Sequence, residues 1–98
     1  MQEFEIRQFL IDFGVNEHCK GFDYAIELVK LVLKDNNIKN KDIIYYISEK
    51  ENVSPNTVRE TLRYAITLTN KYGGRLTIKN LIKQALQKQK ERNFYETN

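Results

Sequence analysis

The chain has 98 residues, a net charge of +3, and 41% hydrophobic against 30% charged residues, an ordinary globular composition that excludes disordered, collagen-like and disulfide-scaffold chains. The length suits one domain with a real core, and the longest apolar runs, Ile43-Ile44-Tyr45-Tyr46-Ile47 and Leu28-Val29 with Leu31-Val32-Leu33, fall far short of the ~20 residues of a membrane span. Met1-Gln2-Glu3-Phe4-Glu5 lacks the basic-then-apolar form of a signal peptide, so a cytoplasmic protein with no membrane contact is expected.

The pattern predicts helices almost throughout. Ile6, Phe9, Leu10 and Phe13 repeat at the spacing of one helix face over residues 3–13, and Gly14 follows where a left-handed cap is wanted. After a loop over Val15–Gly21, a second helix is predicted from Phe22 to about Asp35. Its apolar stripe, Ala25, Leu28, Val29, Val32 and Leu33, is widened by Ile26 and Leu31, as expected of the central, most buried helix. Asn36-Asn37 suits the turn that ends it.

A third, shorter helix is predicted from Asn40 as N-cap to about Lys50, with Asp42 in the first turn and Ile43, Ile44 and Ile47 inward. Glu51-Asn52-Val53 leaves room only for a tight turn. Ser54-Pro55 then restarts a helix. The serine hydroxyl caps free amides, and proline at the first helical position lacks a donor that would have no partner there anyway. This fourth helix is expected to run to about Lys71, burying Val58, Leu62, Ala65, Ile66 and Thr69, and to stop at Tyr72-Gly73-Gly74. The last helix starts at Thr77 as cap and places Ile78, Leu81, Ile82, Ala85 and Leu86 inward. Beyond Gln87 the chain is polar all round, which predicts a mobile tail over 88–98. The expectation is an all-α fold: a compact helical bundle of about five helices, one domain over 1–98, with a helix-turn-helix at about 42–71.

Charge is unevenly spread. Residues 1–49 hold six Lys/Arg against nine Asp/Glu, net −3, and residues 50–98 hold ten against four, net +6. The second half is therefore the one suited to a polyanion. His18 and Cys19 are the only histidine and the only cysteine. Adjacent and alone, they lack the further ligands of a structural zinc site and cannot form an internal disulfide, so no metal or cofactor is expected. Nor do they support a catalytic triad, and Gly73-Gly74 is no phosphate loop, so no enzymatic activity is expected.

The informative stretch is 42–66, two short helices joined by a tight turn, with Ile47, Val53, Val58 and Leu62 inward. A second helix held by one face and protruding by the other can enter a major groove. At ~100° per residue, a buried face of Val58, Leu62, Ala65 and Thr69 turns Asn56, Glu60, Arg63 and Thr67 outward, with Arg59 on the flank. Arginine can donate twice to guanine, glutamate can accept from cytosine and asparagine can pair with adenine, which makes Asn56, Arg59, Glu60 and Arg63 the candidate base contacts. Ser54 with its neighbouring amides, Lys50, Thr67, Lys71, Arg75, Lys79 and Lys83 are the candidate phosphate contacts.

Two separated segments carry a resemblance. Phe9-Leu10-Ile11-Asp12-Phe13-Gly14-Val15, then His18, then Lys20-Gly21-Phe22-Asp23-Tyr24 resembles the opening of the C-terminal effector domain of the stage zero sporulation protein A family. Residues 47–66 are similar to its helix-turn-helix, including Ser54, Val58, Arg63, Ala65 and Ile66. The resemblance covers about residues 6–90 and implies a helical domain that docks its recognition helix in the major groove of double-stranded DNA, often as tandem copies. A Glu-Arg pair of the family that reads bases corresponds to Arg59 and Glu60, the same chemistry in reversed order, so the family's exact target sequence is not carried over, while Arg63 matches outright. The family's receiver domain has no room in 98 residues, so control by phosphorylation is not expected. The segment by which the family contacts RNA polymerase shrinks to Lys71-Tyr72-Gly73-Gly74-Arg75-Leu76, so activation by that route is not expected either. The leading expectation is a stand-alone, sequence-specific DNA-binding regulator. The alternatives are a protein-interaction module that pairs with itself or a partner through its acidic N-terminal half, and a plasmid or phage DNA-site accessory protein.

Overall fold

A computed structural model describes residues 1–67 and 77–97, with side chains over 1–66 and 77–93. The described residues form five helices and no strand: α1 Glu3–Phe13, α2 Lys20–Lys34, α3 Asn40–Glu51, α4 Pro55–Thr67 and α5 Ile78–Thr97. The expected all-α bundle is the observed architecture. The longest apolar stripe belongs to α2, and it packs against each of the other four helices. Phe22, Leu28, Val29 and Val32 of α2 meet Leu10 of α1, Ile47 of α3, Leu62 of α4 and Leu81 of α5 in one buried cluster. No helix among the described residues is long and apolar enough to cross a membrane.

The helix ends follow local chemistry. Gly14 adopts a left-handed conformation (φ 102°), and the N–H of Val15 donates to the carbonyl of Leu10 at 3.0 Å, so the expected glycine cap closes α1. α3 ends the same way: Asn52 sits at φ 56°, ψ 47°, and the Val53 N–H donates to the Ser48 carbonyl at 3.1 Å. Asparagine tolerates that conformation better than most residues. Ser48, the one buried polar side chain among the described residues, donates its hydroxyl to the Val53 carbonyl and ties down the turn between α3 and α4. The Asn80 N–H donates to Thr77 Oγ1 at 3.2 Å, so Thr77 caps α5 as expected.

Three boundaries differ from expectation. α2 begins at Lys20 rather than Phe22, taking Gly21 into its first turn. Lys39, in extended conformation, is the N-cap of α3, and Asn40 is its first helical residue. The last helix does not end near Gln87 but continues to Thr97, with Gln87 Nε2 donating to Glu91 Oε1 at 3.3 Å and Arg92 paired with Glu5 of α1. The expected continuation of α4 to Lys71, the burial of Thr69 and the stop at Tyr72-Gly73-Gly74 lie outside the described residues.

A ladder of charges joins the first three helices. Lys30 Nζ of α2 lies 2.5 Å from Glu3 Oε1 of α1 and 3.9 Å from Glu27 Oε1, and Lys50 Nζ of α3 lies 2.9 Å from the same Glu27 oxygen. The hydrogen bond and charge of Lys30 hold the Glu3 carboxyl below its ordinary pKa.

Candidate DNA interface

The candidate site is built on α4, and three anchors orient that helix. Its start is fixed by Ser54, whose Oγ accepts from the Thr57 N–H at 3.1 Å and shares a 2.8 Å hydrogen bond with the Thr57 hydroxyl. Its inner face is fixed by Val58, Leu62, Ala65 and Ile66, all buried. Its distance from α2 is fixed by Gly21, where a Cβ would stand 2.5 Å from Ala65 Cβ and 2.6 Å from the Thr61 carbonyl oxygen. Nothing larger than hydrogen fits there. Gly21, expected in the loop before α2, is thus a point of close approach between α2 and α4.

With the inner face held this way, Asn56, Arg59, Glu60 and Arg63 are all exposed. The four candidate base contacts share the solvent side of one helix, and the first three stand within its first two turns. Asn56 Nδ2 donates to Glu60 Oε1 at 3.4 Å, one helical turn apart. Such a side-chain pair keeps both groups on one line along the surface. Glutamate and asparagine supply acceptors and an amide beside the forked donors of Arg59 and Arg63, the mixture that base edges in a major groove can pair with.

The candidate phosphate contacts are more dispersed. Lys79 and Lys83 are exposed near the start of α5, which packs against both α2 and α4. Lys50 is exposed but engaged with Glu27, and that hydrogen bond, reinforced by the carboxylate charge, holds its ammonium pKa above the ordinary lysine value. A phosphate contact from Lys50 therefore exchanges one anion for another. Ser54 uses its hydroxyl to cap α4. The side chain of Thr67, and Lys71 and Arg75 altogether, lie outside the described residues.

Tyr64, outside the expected set of contacts, is 64% exposed on α4 beside Arg63. The helical repeat alone would have found it, since residue 64 falls one turn after Glu60. His18 and Cys19 serve the loop between α1 and α2: the His18 N–H donates to Asn16 Oδ1 at 2.8 Å and Cys19 Sγ donates to the Asn16 carbonyl at 3.0 Å. Among the described residues no group of three or more His, Cys, Asp or Glu is placed to hold a metal ion.

No curated protein and no solved structure matches the chain. A family model does: "Sporulation initiation factor Spo0A C terminal" matches residues 6–97, nearly the whole length and both segments that carried the resemblance. The chain belongs to this family of DNA-binding effector domains of a sporulation transcription regulator.

Proposed function

We propose that the chain is a sequence-specific regulator of transcription that binds double-stranded DNA with α3 and α4 as a helix-turn-helix, α4 lying in the major groove. Asn56, Arg59, Glu60 and Arg63 read base edges. Ser54, Lys50, Thr67, Lys71, Arg75, Lys79 and Lys83 hold the phosphates on either side and supply affinity without sequence information. The observation that carries the reading is the division of α4 into a face anchored by Val58, Leu62, Ala65 and Ile66 and an opposite face whose polar side chains are all exposed. Glu60 between two arginines is informative here. A helix that met only phosphates would gain nothing from a carboxylate on its outer face, whereas a base reader uses one to accept from cytosine.

The test is selection of bound duplexes from a random pool, followed by binding measurements across a salt series. The expected outcome is a preference of ~10³-fold or more for the selected site over random duplex, with affinity falling steeply between about 50 and 200 mM salt. Absence of salt-dependent duplex binding at low ionic strength would refute the proposal.

A further inference from the structure

Five large apolar or aromatic side chains are exposed among the described residues: Phe4 and Ile11 on α1, Tyr45 and Tyr46 on α3, and Tyr64 on α4. A single exposed aromatic is ordinary on a protein surface. Tyr64 differs in where it stands, since it alone of the five shares a helix with the candidate base contacts. The outer face of α4 lies opposite Val58, Leu62, Ala65 and Ile66, which are buried. At ~100° per residue, Glu60 and Tyr64 lie ~40° apart and straddle the middle of that outer face, whereas Arg59 and Arg63 are displaced toward one flank. Asn56, Glu60 and Tyr64 thus form one ridge, of which the first two are joined by the 3.4 Å hydrogen bond between their side chains. At 64% exposure, the bundle leaves the third largely in solvent.

The dimensions of the groove say what such a side chain meets. A helix with its side chains is ~10–12 Å across and the major groove is ~12 Å wide, so a helix seated there fills it. Residues on the flanks then meet phosphates at the rims, and residues in the middle of the outer face meet the floor. The floor offers hydrogen-bonding groups and one apolar group, the C5 methyl of thymine. Glu60 suits the first. The ring of Tyr64 suits the second, because ring and methyl both shed water when they touch. Tyr64 is also eight residues, or ~12 Å along the axis, beyond Asn56. A recognition helix presents its N-terminal end to the bases, so a residue in the third turn stands farther from the floor and needs a long side chain to reach it.

We propose that Tyr64 is a specificity-determining residue that lays its ring against a thymine methyl in the major groove, at the end of the site farther from Asn56. The inference rests on the reading of α4 as a helix seated in that groove and adds to it a thymine requirement that the polar residues of the ridge do not supply.

Fluorescence anisotropy with the full chain and a duplex selected from a random pool tests it in two arms. The first compares wild-type binding to the selected and to random duplexes; absence of a preference overturns the DNA reading, and this inference with it. Where the preference is present, the second arm isolates Tyr64 by replacing each thymine of the site in turn with uracil, which removes only the methyl. At one position the replacement is expected to weaken wild-type binding ~4-fold, the worth of one buried methyl. Tyr64→Ala is expected to bind the thymine duplex ~10-fold more weakly and to be indifferent to uracil at that position. Tyr64→Phe, which keeps the ring, should retain both the affinity and the sensitivity to uracil. Circular dichroism verifies that the variants are folded, as the exposure of the side chain leads one to expect. With the first arm positive, four results would each overturn the proposal alone: a selected site without thymine, Tyr64→Ala binding as tightly as the wild type, a uracil penalty equal in wild type and Tyr64→Ala at every position, or Tyr64→Phe losing as much as Tyr64→Ala, which would mark a hydroxyl contact instead.

Discussion

Gly21→Ala adds one methyl carbon where α2 and α4 approach closely. That carbon would lie 2.5 Å from Ala65 Cβ and 2.6 Å from the Thr61 carbonyl oxygen, whereas carbon atoms rest at ~3.5–4 Å. The neighbours must retreat by roughly 1 Å, and neither is the free end of a flexible side chain: one is a Cβ and the other is backbone within a helix. Overpacking of this kind costs about 1–3 kcal/mol. Alanine recovers at most ~1 kcal/mol of helix propensity over glycine, and less at the second residue of a helix. The net expectation is a loss of about 1–2 kcal/mol, or ~4–16 °C in Tm for a domain of this size. Thermal and urea unfolding followed by circular dichroism at 222 nm measures it. Because α4 is the element displaced, duplex binding should also fall at temperatures where the variant is still folded. Adding Ala65→Gly should restore only part of the loss, since it removes the Ala65 Cβ but leaves the Thr61 carbonyl in place, and a double-mutant cycle reads the coupling. A Gly21→Ala protein as stable as the wild type would show that the two helices do not meet as closely as described.

Arg59→Ala and Arg63→Ala should each cost about 1–3 kcal/mol of specific binding and relax preference at one base position, while Lys79→Ala should weaken all duplexes alike and reduce the salt slope by about one; fluorescence anisotropy on selected and random duplexes separates the two classes. Ser54→Ala removes the acceptor of the Thr57 N–H and should lower stability by about 0.5–2 kcal/mol, with Ser54→Asp retaining most of it, as read from urea midpoints. The Lys50–Glu27 pair raises the pKa of Lys50 in the folded state. Its contribution is therefore complete below the ordinary lysine value of about 10.4 and is lost as pH rises through the higher folded value. Glu27→Gln should accordingly flatten the alkaline decline in Tm, and added salt should do the same because Lys50 is exposed. Glu3 behaves oppositely: its lowered pKa contributes stability above the ordinary carboxylate value of ~4.3 that is lost as pH falls through the folded value, and Lys30→Met should remove that part of the acid dependence.

Much of the bundle was legible residue by residue because its signals are local. Gly14, Ser54-Pro55 and Thr77 mark helix ends through hydrogen bonds to amides and carbonyls three to five residues away, and Val58, Leu62, Ala65 and Ile66 declare the buried side of α4 through the helical repeat alone. Once that side is known, the exposure of Asn56, Arg59, Glu60 and Arg63 follows from geometry. The sequence by itself therefore determined the helical class, the inner and outer faces of α4 and the family to which the chain belongs.

Tertiary structure decided what depends on residues distant along the chain. Gly21 is a poor helix former and reads as loop, but it is helical because α2 needs a residue without a Cβ where Thr61 and Ala65 press against it. Lys88 to Glu91 look like a solvated tail, yet the helix continues through them and Arg92 finds Glu5 at the other end of the sequence. Lys50 reads as a free cation and is engaged by Glu27. Periodicity and capping report on neighbours within a turn or two, whereas close approaches and ion pairs between helices arise only when separate helices are brought together, and they leave no repeat in the sequence to be read.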